Sequence, residues 1–221
     1  NCVCPIVEKP IAHTADIVSD LLQADGRFEV IFHWLHGSEV IWFTRNITLK
    51  DVKKIRISIK DPYADRGGRI RPEFHNKFGC WLDSGVNALS LLTKLVDLES
   101  FQPKSLSFAM DDSSGLPYRA ICLMYSDRTN IEMDMRWDVE ENHKVTFIEA
   151  DGHEYVIDHT AQSVICDGVL VFKDDGMPRL PRHYFNYFAN YPQSSTDWAT
   201  NLLIHRKLYE AYDYQDQRIM A

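Results

Sequence analysis

Six short segments between residues 104 and 173 constrain the fold most, because each has the length and pattern of a β-strand. They are residues 104–112, 117–126, 129–137, 143–150, 153–158 and 163–173. Turn residues such as Asp151-Gly152 separate them. Within 131–137, apolar residues at odd positions alternate with charged residues at even positions, which is typical of an antiparallel strand with one buried and one polar face. The pattern predicts a large, mostly antiparallel sheet.

The first 36 residues show a different pattern, in which a helix separates two apolar strands. Residues 2–8 and residues 28–34 have the apolar composition of buried strands. The intervening helix has Thr14 as its N-cap, Ile17, Val18, Leu21 and Leu22 on one face, and Gly26 as its C-terminal stop. Strand, helix and strand predict one βαβ unit with a right-handed crossover.

The remaining elements complete an α+β chain. We predict a helix over 38–46 capped by Ser38, a strand over 53–60, a polar loop over 61–78, and helices over 85–96, 181–191 and 197–213. The fold class is therefore α+β, a mostly antiparallel open sheet with helices on one face, preceded by the βαβ unit. This divides the chain into a domain at 1–36 and an α+β domain at 37–221.

Charge and cysteine content exclude several classes of protein. With 24 basic and 32 acidic residues, the net charge of −8 argues against a nucleic-acid partner. The spacings of Cys2, Cys4, Cys80, Cys122 and Cys166 fit no zinc site, so we expect reduced thiols in a cytoplasmic protein. No apolar run reaches the length of a membrane span, and no signal peptide is recognisable. The start without Met leads us to expect that the chain is cut from a longer one.

Three groups of residues could carry chemistry. Glu8-Lys9-Pro10 follows the first strand, His33 and His36 lie at or beyond the end of the second, and Asp83 stands at the entry to the helix over 85–96. Asn87 lies four residues after Asp83, so both side chains share one face of that helix. A lysine, a carboxylate and an amide that converge could hold a hydroxyl group and move its proton.

Each of these residues also has a structural explanation. Lys9 could be a solvated strand end, Asp83 a helix N-cap and Asn87 a surface amide. His33 is more typical of a structural histidine than of a ligand. A metal site would require a third ligand, and no spacing supports His75 in that role, so we predict no metal. The sequence also lacks the G-x-S-x-G pattern of a serine nucleophile.

Two of these motifs together resemble the Gfo/Idh/MocA family of NAD(P)-dependent oxidoreductases. Glu8-Lys9-Pro10 is similar to its E-K-P motif, and Gly79 to Leu92 (GCWLDSGVNALSLL) is similar to its second motif, G-G-x-x-x-D-x-G-x-H. The resemblance implies that 1–36 is the C-terminal remnant of a Rossmann domain and that 37–221 binds substrate. It further implies NAD or NADP as cofactor, held by Glu8, Lys9 and Pro10, with Lys9 and Asp83 catalytic. Family members pair through the antiparallel sheet, so a homo-oligomer is expected.

The chain departs from the family in two places. Asn87 stands where most members have His, a variant that resembles the aldose 1-dehydrogenases acting on L-arabinose or D-galactose. That subgroup implies substrate-binding roles for Asn87, His36 and Asp61, with the loop over 61–78 covering the sugar. In addition, the ten glycines never form the G-x-G-x-x-G phosphate-binding pattern, so most of the nucleotide-binding domain is missing from this sequence.

These observations predict a sugar dehydrogenase that converts an aldose to an aldonolactone, present here without most of its nucleotide-binding domain and inactive alone. Two alternatives remain open. The chain could be a non-catalytic sugar-binding or dimerisation module derived from the family, or a member that reduces a keto-sugar.

Overall fold

An eight-stranded mixed sheet dominates the computed structural model, which describes residues 5–11, 17, 20, 28–193 and 195–215. The strands are β1 Ile6–Glu8, β2 Glu29–Ile31, β3 Val52–Lys60, β4 Gln102–Met110, β5 Pro117–Tyr125, β6 Asn130–Arg136, β7 His143–Ala150, β8 His153–Asp158, β9 Ser163–Cys166 and β10 Val169–Lys173. The α-helices are α1 Ser38–Asn46, α2 Val86–Leu95, α3 Arg179–Ala189 and α4 Trp198–Glu210. Short 3-10 helices span His33–His36, Pro72–Lys77, Leu98–Ser100 and Ala211–Tyr214, and a π-helical stretch spans Trp81–Gly85.

The strand order in the large sheet is β10-β9-β8-β7-β3-β6-β5-β4. β3 pairs parallel with β6, and the other neighbours pair antiparallel. The predicted mostly antiparallel sheet of an α+β protein is therefore confirmed. β3 lies in the middle because alternate residues Ile55, Ile57 and Ile59 are fully buried on one face, as the period-two pattern predicts.

The helices cover one face of this sheet. α1 packs on β8, β9 and β10, and the 3-10 helix Ala211–Tyr214 packs on β4. Three fully buried tryptophans, Trp34, Trp81 and Trp137, belong to the core on that side. Residues that alternate with the core positions point to the opposite face and stay exposed or half-buried. This segregation is what a sheet covered on one side requires.

The prediction of one continuous strand over residues 163–173 is wrong. Residues 163–173 form the two strands β9 and β10, which pair antiparallel. Between them Asp167 and Gly168 have φ of 48° and 78°, the left-handed conformation at both central positions of a tight hairpin turn. The Asp-Gly pair is therefore a turn, not part of a strand.

The N-terminal region contains a separate two-stranded parallel sheet, in which Val7 is paired with Val30. The predicted second strand, 28–34, is too long: β2 ends at Ile31, and the Leu35 N–H donates to the Phe32 carbonyl (3.0 Å) as the chain turns into a 3-10 helix. Residues Cys2, Cys4, Thr14, Val18, Leu21, Leu22 and Gly26 lie outside the described residues. The division at 36/37 remains a prediction.

Helix α1 begins as predicted at Ser38, but Ser38 is not its cap. Gly37 takes the N-cap position, with its carbonyl accepting from the Ile41 N–H at 2.9 Å, and no side chain caps the helix. Cys80, Cys122 and Cys166 are free thiols. None of the helices in the described part of the chain is both long and apolar enough to cross a membrane.

Candidate active site

Lys9 and Asp83 are in contact. Lys9 directly follows β1, and Asp83 lies in the π-helical stretch before α2. The Lys9 Nζ donates to the Asp83 Oδ1 at 3.0 Å and to the Asp83 carbonyl at 2.6 Å. Their side chains are only 8% and 15% exposed. The structure thus brings together two residues that are 74 positions apart in the chain.

The π-helical stretch explains how Asp83 reaches Lys9. Asp83 lies inside this stretch, and neither it nor α2 has a side-chain cap, so the alternative of a simple N-cap does not apply. A Cβ on Gly85 would lie 2.8 Å from the Trp81 ring, so only glycine allows the wide turn to close over that indole. Such π-turns are frequent at functional sites.

The loop over 61–78 supplies a second cation to Asp83. The Lys77 Nζ lies 3.5 Å from the Asp83 Oδ1 and 5.1 Å from the centre of the Tyr63 ring. Lys77 ends the 3-10 helix Pro72–Lys77, so this loop is partly ordered into a helix. Burial opposes ionisation of Asp83, but the ammonium groups of Lys9 and Lys77 hold the pKa of its carboxyl below the usual value.

Asn87 lies one turn beyond Asp83 on the same side of α2. Its Nδ2 donates to the Asp83 carbonyl at 3.3 Å. Its Oδ1 is buried and has no partner among the described residues, and the residue is 6% exposed. A buried acceptor without a partner is costly, so this atom is available to a donor from a ligand.

Asp61 forms a second buried ion pair. It follows β3, and its Oδ1 accepts from the Lys144 Nζ and from the Asn142 Nδ2, the latter at 2.6 Å. Burial lowers the pKa of Lys144 to about 8, although Asp61 opposes that shift. Sequence analysis missed Lys144, but its parity with the buried Ile148 and Ala150 in β7 places it on the core face.

Helix α3 contributes an arginine and a histidine that were also missed. Arg179 and His183 are one turn apart on α3, and the His183 ring lies 5.6 Å from the ring of His33. The Nη1 of Arg179, the Nδ1 of His33 and both ring nitrogens of His183 are buried without partners among the described residues. The i, i+4 spacing of Arg179 and His183 is the only sequence pattern that places their side chains on one face of a helix.

His36 is placed apart from the Lys9–Asp83 pair. Its ring lies 5.0 Å from that of Tyr187, and its backbone carbonyl accepts from the Asn186 Nδ2 at 2.8 Å. Burial, assisted by Lys94, lowers the pKa of His36 to about 4. No hydrogen bond joins it to Lys9, Asp83 or Asn87 in the described part of the structure. His75 is engaged with the Ile70 carbonyl at 3.3 Å.

The residues predicted to bind the cofactor lie at the carboxyl end of β1. The Glu8 Oε1 accepts from the Tyr184 hydroxyl at 2.6 Å, and Lys9 and Pro10 follow at the strand end. Strand carboxyl ends in α/β sheets are where nucleotides and substrates bind. Glu8, Lys9 and Pro10 thus lie at such a strand end, and the described residues include no phosphate-binding glycine loop.

Acidification is expected to destabilise the protein through its buried histidines. Burial places the pKa of His33 well below its usual value, that of His36 at about 4 and that of His183 at about 3. Between these values and about 6.5 the unfolded chain binds more protons, so stability falls as the pH drops below 6.5. At pH 5.5 His36 and His183 each cost about 1.4 kcal/mol.

Urea unfolding at pH 7.5 and 5.5 measures this loss, to which His36 and His183 together should contribute about 3 kcal/mol. The variant His183→Gln should lose about 1.4 kcal/mol less on acidification, whereas the exposed-site control His143→Gln should behave as the parent. An equal loss in both variants would show that His183 does not contribute.

Comparison with known proteins was informative only at the level of structure. No protein-family model matches the chain, and no curated protein matches it significantly. A dehydrogenase (MviM) from Clostridium difficile superposes with a TM-score of 0.71 at 13% identity, covering 96% of this chain and 71% of that one. A myo-inositol dehydrogenase from Corynebacterium glutamicum gives 0.72 at 12% identity, covering 95% and 70%. A levoglucosan dehydrogenase in complex with NADH and levoglucosan gives 0.71 at 11% identity, also covering 95% and 70%.

The chain has the fold of these dehydrogenases. The superpositions extend over nearly its whole length, which agrees with the architecture that the motif resemblance implied. At 11–13% identity the likeness concerns the fold alone, so the roles of individual residues rest on the geometry given above.

Proposed function

We propose that this chain is the substrate-binding part of an NAD(P)-dependent sugar dehydrogenase of the Gfo/Idh/MocA type, one that oxidises an aldose to an aldonolactone. The observation that carries the proposal is the buried contact between Lys9 and Asp83 at the carboxyl end of a parallel strand. The fold shared with known dehydrogenases and the two motifs around these residues support it.

The geometry of the pair suits it to take a proton from a sugar hydroxyl. The Lys9 ammonium is a hydrogen-bond donor that orients the hydroxyl oxygen, and Asp83 is kept ionised by Lys9 and Lys77. The proton of the hydroxyl then passes to the Asp83 carboxylate, because the Lys9 ammonium has no free electron pair to accept it. When bound beside Glu8, Lys9 and Pro10, NAD or NADP supplies the hydride acceptor.

Asn87, Asp61 and His36 are proposed to bind the sugar. The unpaired Oδ1 of Asn87 can accept from a hydroxyl next to the reacting one. The hydrogen bonds that described residues donate to the Asp61 carboxylate both end on Oδ1, which leaves Oδ2 for a sugar hydroxyl. His36, in its buried position beside Tyr187, lies on the 3-10 helix that packs against α2.

The test is an assay of the complete polypeptide with a panel of aldoses, using NAD and NADP separately and monitoring nicotinamide reduction. The proposal expects turnover with at least one aldose, and an aldonolactone as product. Sugar binding without turnover on either cofactor would favour a non-catalytic module, and reduction of a keto-sugar in the reverse assay would favour the other alternative.

We also propose that two copies pair through the uncovered face of the sheet. Phe147, Val156, Ile165 and Leu170 are successive cross-strand neighbours on that face of β7–β10. Phe147 is 43% and Leu170 is 56% exposed. A contiguous exposed apolar row of this kind is typical of a protein interface.

The variant Phe147→Glu is expected to weaken self-association about a hundredfold, because it places a charge on the largest apolar side chain of the row. Light scattering across a dilution series measures this. The control is Phe185→Glu, which changes an even more exposed phenylalanine on α3. A parent protein that is monomeric at all concentrations would contradict the proposal.

A further inference from the structure

Arg179 differs from the other cations around the candidate active site. Lys9 and Lys77 both contact Asp83, and Lys144 contacts Asp61. Arg179 is half-buried, its Nη1 is inaccessible and unpartnered, and the described residues form no ion pair with it. A guanidinium has five donors and stays charged in proteins, so leaving it unpaired in this position is unfavourable unless something else binds it.

The surroundings of Arg179 overlap with those of Lys9 and Asp83. Arg179 begins α3, which packs on the 3-10 helix that follows β2. One turn further along α3, His183 is 1% exposed, with two unpartnered ring nitrogens and its ring 5.6 Å from that of His33. The charges of Lys9 and Arg179 both lower the pKa of His33. The charge of Asp83 raises the pKa of Tyr63, and that of Arg179 lowers it.

The charge of Arg179 is not balanced locally. Burial lowers the pKa of its guanidinium, and the more distant Asp61 and Glu39 only partly oppose this. The Oε1 of Glu39 is engaged with the His159 Nδ1 at 2.9 Å. Arg179 is therefore a partly buried cation without an ion-pair partner among the described residues, and its charge acts on both His33 and His183, whose ring nitrogens are also unpartnered there.

We infer that the sugar bound here carries an anionic group, a carboxylate or a phosphate, which pairs with the Arg179 guanidinium. This inference rests on the proposed function, since it names the substrate class of the same site. The planar fork of a guanidinium matches both kinds of oxyanion with two parallel hydrogen bonds. The ring nitrogens of His33 and His183 can add further bonds to the anion or to neighbouring hydroxyls.

Isothermal titration of the complete polypeptide saturated with reduced nicotinamide tests this, because no oxidation of the sugar can then occur. The probes are D-galactose, D-galacturonate and D-galactose 6-phosphate, which share one ring. We expect at least one anionic sugar to bind about tenfold or more tightly than galactose, as a charge-assisted bidentate contact provides. The tighter of the two anions identifies the group.

Arg179→Gln should abolish this advantage while changing the affinity for galactose less than about twofold. The matched control is Arg182→Gln, which removes an arginine on the same helix that pairs with Asp174 at 2.8 Å, and it should keep the preference. Arg179→Gln should not lower the melting temperature, because no described contact is lost. A fall of several degrees would instead indicate a structural arginine and overturn the inference.

The outcomes separate the two proposals. If galactose binds and neither anion binds more tightly, or if Arg179→Gln keeps the preference, the anionic substrate is wrong and the sugar site stands. If none of the three probes binds, both the sugar site and this inference fail.

Discussion

Replacing Lys9 with Met is expected to lower kcat about a thousandfold, since a positioned acid–base group contributes about 10²–10⁴-fold to such reactions. Met keeps the length and apolar stem of the side chain but cannot bind a hydroxyl or share its proton. The loss should appear in kcat more than in KM, because the contact matters most while the proton moves. Steady-state kinetics on the best aldose from the panel measures it.

Two controls make the Lys9 result interpretable. Lys77→Met removes the more distant of the two cations beside Asp83, so a smaller loss is expected. Lys104→Met changes an exposed lysine on β4 and should leave kcat unchanged. Far-ultraviolet circular dichroism must match the parent in all three variants. A Lys9→Met protein that is folded and retains parental turnover would remove Lys9 from the mechanism.

Asp61→Ala is expected to destabilise the protein by about 3–5 kcal/mol, the usual cost of leaving one member of a buried ion pair unmatched. Lys144 is 4% exposed and pairs with Asp61 and Asn142. Without Asp61, the ammonium keeps only the amide oxygen. Urea unfolding gives the change in the free energy of unfolding.

The pH dependence of that loss identifies its cause. The pKa of Lys144 is already lowered to about 8 by burial, and removing Asp61 lowers it further. Between the folded-state pKa and the usual value of about 10.4, the unfolded chain binds the extra proton, so the stability of the variant rises with pH. Asp61→Ala should therefore cost more at pH 6 than at pH 9.

A double variant completes the test. Asp61→Ala combined with Lys144→Met removes both charges and should recover most of the lost stability, because an apolar replacement of a buried pair is often neutral. If the double variant is as unstable as the sum of the two single variants, Asp61 and Lys144 act independently and the ion pair is not the cause.

Local patterns predicted most of the elements. Alternation located β3 to β8, because one buried face imposes a period of two, and the helical period located α1 to α4. The predicted strand boundaries were wrong where a few hydrogen bonds determine where a strand ends. Asp167-Gly168 turned one predicted strand into two, and β2 ended three residues before Trp34 because no strand continues beside it.

The candidate site was predictable only where a motif linked distant residues. The spacing of two motifs led to Lys9 and Asp83, and the structure places them in contact. Arg179, His183 and Lys144 carry no motif, and their approach depends on how α3 and β7 pack around the same region. Tertiary packing of this kind cannot be read from periodicity, which shows which face of an element is buried but not what it meets there.

Strand β3 lies between two groups of strands in the large sheet, and each group is a continuous meander. β4, β5 and β6 form one meander of neighbouring strands, and β7 to β10 form another, yet β6 and β7 do not pair with each other because β3 lies between them. Each meander closes with short loops, whereas β3 must reach partners more than 70 residues downstream, a slower step. Residues 52–60 thus join the two meanders into one sheet.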